Sequence, residues 1–137
     1  MISLDTNVLV RVVTADDPQQ LQLALTVMQS EPLWVCKTVL LETEWVLRFT
    51  YKLSRQAVLT ACRGILGYRA LQVEQRGAVL QALSWYEKGM DFADALHLTS
   101  SAEAERFATF DRELAKVAQT HRETGLPSIE LLQTSNA

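Results

Sequence analysis

The sequence predicts an α/β fold: a three-layer sandwich with a short-stranded parallel sheet covered by helices. Three observations carry the prediction. Short apolar runs alternate with longer segments of helical period. The runs are apolar at nearly every position, as in strands with both faces covered. The 137 residues suffice for one domain that buries roughly two thirds of its unfolded surface.

Residues 2–5 read as a short buried strand. A helix over 17–30 is entered through Asp16-Asp17-Pro18, where an aspartate cap and an early proline mark the start, and Pro32 follows its end. Leu33 to Lys37 reads as a second strand and Thr38 to Tyr51 as a helix. Ser54 caps a further helix to Leu66, with Gly67 just past it. A strand at 71–73, helices at 74–87 and 92–103, a strand at 106–110, a helix at 112–120 and a strand at 128–131 complete the order. Residues 1–132 form one domain in this reading, and 133–137 a loose tail.

Composition narrows the function classes. With 48% hydrophobic and 21% charged residues the chain is ordinary and globular, and no apolar run approaches the roughly 20 residues of a membrane span. Met1 leads directly into a strand without an export signal, so the cytoplasm is the expected compartment. Cys36 and Cys62 have no partner at metal or redox spacing and read as reduced core thiols. Trp34, Trp45 and Trp85 read as core. The net charge of −3 argues against a polyanionic partner. That argument weakens if four of the 16 acidic residues are neutralised by cations, since 13 basic residues then outweigh the rest.

Four acids stand where apolar segments have no structural use for them. Asp5 ends Met1-Ile2-Ser3-Leu4, Glu42 interrupts an apolar helical stripe, Asp94 lies in Asp91-Phe92-Ala93-Asp94-Ala95-Leu96, and Asp111 closes Phe107 to Phe110. An unpaired buried carboxylate costs several kcal/mol, so four of them call for a shared cation. Each also has a plain alternative. Asp5 and Asp111 suit turn and helix-cap positions, and Asp91 and Asp94 suit the cap and first turn of one helix. Glu42 falls on a stripe with Val39, Trp45, Val46 and Phe49, whereas Glu44 points away and has Arg48 at i+4, an ordinary ion pair. His97 and Ser101 continue a polar seam from Asp94.

The ordered set of Leu4-Asp5-Thr6-Asn7, the run Val39 to Leu47 around Glu42, Asp91 to Leu96 and Thr109-Phe110-Asp111 resembles the PIN domain, and within it the VapC-type ribonuclease toxins of toxin–antitoxin pairs. The resemblance implies a PIN-like nuclease fold. It implies a cytoplasmic endoribonuclease using Mg²⁺ or Mn²⁺ held by Asp5, Asp94 and Asp111, with Glu42 as a fourth ligand or as the group that orients the attacking water. Thr6, Asn7, Asp91 and Thr109 would fix the carboxylates, and Arg11 and Arg48 would contact the RNA backbone. It further implies a homodimer and a cognate antitoxin that reaches into the acidic site. Two alternatives remain: a PIN-like scaffold without catalysis, and an aspartate-based phosphohydrolase. The latter wants a second acid where Asn7 stands. A receiver-like phosphoacceptor would need a lysine after a late strand, where Asp111 stands.

Overall fold

A computed structural model describes residues 1–120 and 126–134, so residues 135–137 of the predicted tail lie outside the described residues. The chain divides into two compact units, Met1–Arg76 and Gly77–Ala137.

In the first unit, β1 (Ile2–Ser3), β2 (Leu33–Val35) and β3 (Leu71–Val73) form a parallel sheet in the order β1-β2-β3. Ile2 lies opposite Leu33, and Leu33 and Val35 lie opposite Leu71 and Val73. Between the strands run α1 (Thr6–Thr14), α2 (Pro18–Ser30), α3 (Lys37–Trp45) with a π-helical turn at Val46–Thr50, and α4 (Arg55–Leu66). Leu9, Leu33, Val35, Leu40, Leu47 and Val58 are fully buried, each contributing about 1.5–3 kcal/mol of hydrophobic stabilisation. The predicted caps are present. Asp17 accepts from the Gln20 N–H at 3.1 Å, with Pro18 in the first turn, and Ser54 accepts from the Ala57 N–H at 3.1 Å. Gly67 closes α4, its N–H bonded to Arg63 O at 2.9 Å.

The second unit holds α5 (Arg76–Glu87), which begins at the boundary residue, α6 (Phe92–Thr99), β4 (Arg106–Thr109), α7 (Arg112–Thr120) and β5 (Ser128–Leu131). β4 and β5 pair in parallel, Phe107 opposite Ile129. Val79, Leu83, Tyr86, Phe92 and Ala95 are buried, and the Tyr86 and Phe92 rings meet edge to face at 5.6 Å.

The α/β class holds, with small parallel sheets flanked by helices. Four local expectations need correction. α1 occupies residues for which the sequence predicts no element, because Val8, Val10, Val12 and Val13 weaken the helical propensity there. β1 stops at Ser3, since Asp5 turns outward to cap α1 although the Leu4 N–H still bonds Trp34 O at 2.9 Å. The helix expected over 92–103 ends at Thr99, and that over 38–51 changes at Val46 to a wider turn closed by Tyr51 N–H to Val46 O at 3.2 Å.

Candidate active site

The first unit brings together two of the predicted acids. Asp5 follows the carboxyl end of β1, and Glu42 lies on α3, which leaves the carboxyl end of the neighbouring β2. In parallel α/β sheets this edge is where ligands bind. Thr6 joins the acids. Its N–H donates to Asp5 Oδ1 at 2.8 Å, and its hydroxyl donates to Glu42 Oε1. Thr6 is itself buried, so this link is fixed by packing. Asn7 is exposed.

The burial expected of the acids is corrected. Asp5, Glu42 and Asp111 are exposed and Asp94 is half-buried. Strands of two to four residues reach the rim at once, leaving no depth in which to bury the residue after them. The phase of α3 is also the reverse of that predicted. Leu40, Thr43, Glu44 and Leu47 face inward, while Glu42, Trp45 and Phe49 face out. Glu44 is 2% exposed, and Arg48 Nε approaches its Oε2 at 2.6 Å. The Arg48 guanidinium also lies 4.3 Å from the centre of the Phe49 ring. Arg11 donates to the Tyr51 hydroxyl at 2.9 Å and to Asp16 Oδ1 at 3.3 Å. The Tyr51 hydrogen bond is the chief cause that raises its pKa, with Asp16 adding to it. Both arginines predicted to meet RNA thus have partners within the protein. Burial, with a smaller effect of Glu44, pushes the Cys62 thiol up to about 12, in keeping with an inert core thiol.

The second unit gathers the other acids. Asp91 caps α6 by accepting from the Asp94 N–H at 3.1 Å, and Asp111 caps α7 by accepting from the Leu114 N–H at 3.1 Å. Thr109 Oγ1 accepts from the Asp111 N–H at 3.0 Å, so Thr109 orients the backbone that carries Asp111. Asp91, Asp94, Asp111 and Glu113 line one recess of about 190 Å³ with Met90 and Leu114. Glu113 is absent from the sequence prediction; its signal, an acid two residues after Asp111, reads equally as a first-turn charge. The Asp94 pKa is raised, first by burial and then by the charges of Asp91 and Asp111, with His97 opposing.

Carboxylate oxygens are the donors a hard divalent cation takes, and like charges around Asp94 are what such a cation would relieve. Among the described residues no group of three or more acidic, histidine or cysteine side chains is arranged to hold a metal ion by itself. Mg²⁺ does not require one, because it is commonly held by one or two carboxylates and keeps its remaining positions for water and substrate phosphate. The donor chemistry therefore fits Mg²⁺ or Mn²⁺.

The PIN domain family model matches residues 2–119, a span that contains all four predicted acids. The chain belongs to the PIN domain family. This membership supports a nuclease. Among solved structures, the chain is similar to Mycobacterium tuberculosis VapC20, a sarcin–ricin loop cleaving toxin, at 21% identity and a TM-score of 0.43, over 85% of this chain and 94% of that one. A sequence search of curated proteins finds no match. Among the described residues of this PIN domain, no helix is long and apolar enough to cross a membrane.

Proposed function

We propose that this PIN domain is a divalent-metal-dependent endoribonuclease that hydrolyses RNA phosphodiester bonds, and that it is the toxin of a toxin–antitoxin pair. The observation that carries the reading is the crowding of Asp91, Asp94 and Asp111 around one recess, where burial first and then the charges of Asp91 and Asp111 raise the Asp94 pKa. The sequence resemblance is what supports Asp5, Asp94 and Asp111 as the residues that would bind Mg²⁺ or Mn²⁺, with water and substrate phosphate completing the coordination. When bound, the cation lowers the pKa of water and offsets negative charge developing on the phosphoryl oxygens.

The protein's own part is positioning. Thr6 occupies one oxygen of Glu42 by hydrogen bonding and leaves the other to serve as a ligand or to accept a proton from the attacking water. Thr109 and the α7 N-terminus hold Asp111 at the end of β4. Arg11 and Arg48 contact RNA phosphates only in competition with Asp16 and Glu44, so backbone binding should be weak and salt-sensitive. The sequence resemblance supports a cytoplasmic homodimer and an antitoxin that inserts a segment into the acidic site.

Purified protein incubated with structured RNA and Mn²⁺ or Mg²⁺ tests the reading. Cleavage is expected for the wild type, with loss on chelation by EDTA and a strong reduction in Asp5→Asn and Glu42→Gln. A folded wild type that neither binds a divalent cation nor cleaves RNA would turn the interpretation to a non-catalytic PIN scaffold.

A further inference from the structure

Three of the large apolar side chains exposed in this protein are aromatic rings beside the proposed nuclease acids. Trp45 and Phe49 are 53% and 45% exposed, and Phe110, which directly precedes Asp111, is 72% exposed. Trp45 stands at i+3 from Glu42 and Phe49 at i+4 from Trp45, so the three side chains share one face of α3 and its π-helical continuation. The two rings pack at 5.2 Å between centroids and 42° between planes. Arg48, anchored to buried Glu44, covers Phe49 at 4.3 Å and braces the ring.

We infer that Trp45 and Phe49 form a base-stacking platform that seats single-stranded RNA next to Glu42. The inference rests on the endoribonuclease reading and adds how substrate is positioned. Recognition of unpaired RNA bases relies on stacking against aromatic rings and arginine planes, which tolerates any base. A preformed tilted pair with a cation against it supplies both surfaces. Lys52, exposed in the turn that follows, adds a positive charge for the phosphates. The area argues against a second copy of the chain as occupant. Two half-exposed rings offer roughly 200 Å², whereas a stable dimer needs about 800 Å² from each partner. Phe110 gives the acid of the second unit an exposed ring of the same kind, an independent instance of the pairing.

The test is titration of full-length protein into a short, labelled, single-stranded RNA in EDTA, read by anisotropy and by tryptophan fluorescence. It uses the wild type, Trp45→Leu, Phe49→Leu and Trp45→Phe, with Mn²⁺-dependent cleavage and light scattering in parallel. Leucine keeps apolar bulk but has no π-face. RNA should quench the wild-type fluorescence, each leucine variant should lose about 5- to 100-fold in affinity, and Trp45→Phe should retain it. In cleavage, KM should rise in the leucine variants while kcat holds. Leucine variants that bind and cleave like the wild type overturn the platform and leave the nuclease reading standing. Wild type that binds and is quenched without cleaving overturns the nuclease reading and leaves the platform. Leucine variants that change only the oligomeric state assign the face to a second copy and overturn the platform.

Discussion

Thr6 donates its hydroxyl hydrogen to Glu42 across 36 residues of sequence, and so ties the residue after Asp5 to the acid on α3. Because Thr6 is buried and its backbone N–H is bonded to Asp5, one residue orients both Asp5 and Glu42, the first through its main chain and the second through its hydroxyl.

Thr6→Val keeps the shape and removes that hydroxyl. We expect cleavage or apparent Mn²⁺ affinity to fall about 10- to 100-fold, the usual effect of removing a group that orients a metal ligand, with Thr6→Ser retaining most activity. Melting temperature should fall by no more than a loss of about 1 kcal/mol accounts for. Wild-type kinetics in the valine variant would show that the hydrogen bond has no part in the site.

Asp94→Asn should stabilise the metal-free protein at neutral pH. The folded-state pKa of Asp94 is raised, so the folded state binds the proton more tightly than the unfolded state does. That contribution is fully present below the ordinary value of 3.8 and is lost as pH rises through the folded value. Thermal melts of wild type and variant should therefore coincide in acid and diverge above that window. Mn²⁺ should raise the wild-type melting temperature more than that of the variant. Identical melts at every pH would contradict the crowding of acids in the recess.

Asp91→Ala removes two effects at once. Loss of the α6 cap should cost about 1 kcal/mol, and loss of a neighbouring negative charge should move the Asp94 pKa back toward its ordinary value. Titration of the Asp94 carboxyl by NMR would detect the second effect, and an unmoved titration would leave Asp91 as a cap only.

Glu42→Gln and Glu44→Gln should separate cleanly despite standing two residues apart. Glu42 is exposed and is assigned to the reaction only by the proposed function, under which its amide should fold normally and cleave poorly. Glu44 is buried against Arg48, and its amide should lose about 2 kcal/mol of stability, less than a fully buried pair because Arg48 reaches solvent. Denaturant melts and cleavage rates on both variants check the assignment.

Much of the architecture was legible because its signals are local. Ser54, Gly67 and the Asp17-Pro18 pair sit at the helix ends they announce, and satisfy backbone groups whatever the rest of the chain does. The four acids could be chosen from their order along the chain, and the family match covers all of them. α1 is not legible in the sequence because its valines disfavour a helix in isolation, and packing of Leu9 and Val10 overrides that weak preference.

Periodicity gives the angle between side chains on a helix but not which angle faces the core. The sequence by itself therefore placed Glu42 with Trp45 and Phe49, and Glu44 apart from them. Tertiary packing alone decided that Leu40 and Leu47 face inward, which carries Glu44 into the interior and leaves Glu42 and the two rings in solvent. The same holds for charge. Sequence could name Asp91, Asp94 and Asp111, but only their meeting at one recess creates the burial and repulsion that perturb Asp94, because electrostatic energy depends on distance and solvent access rather than on sequence separation.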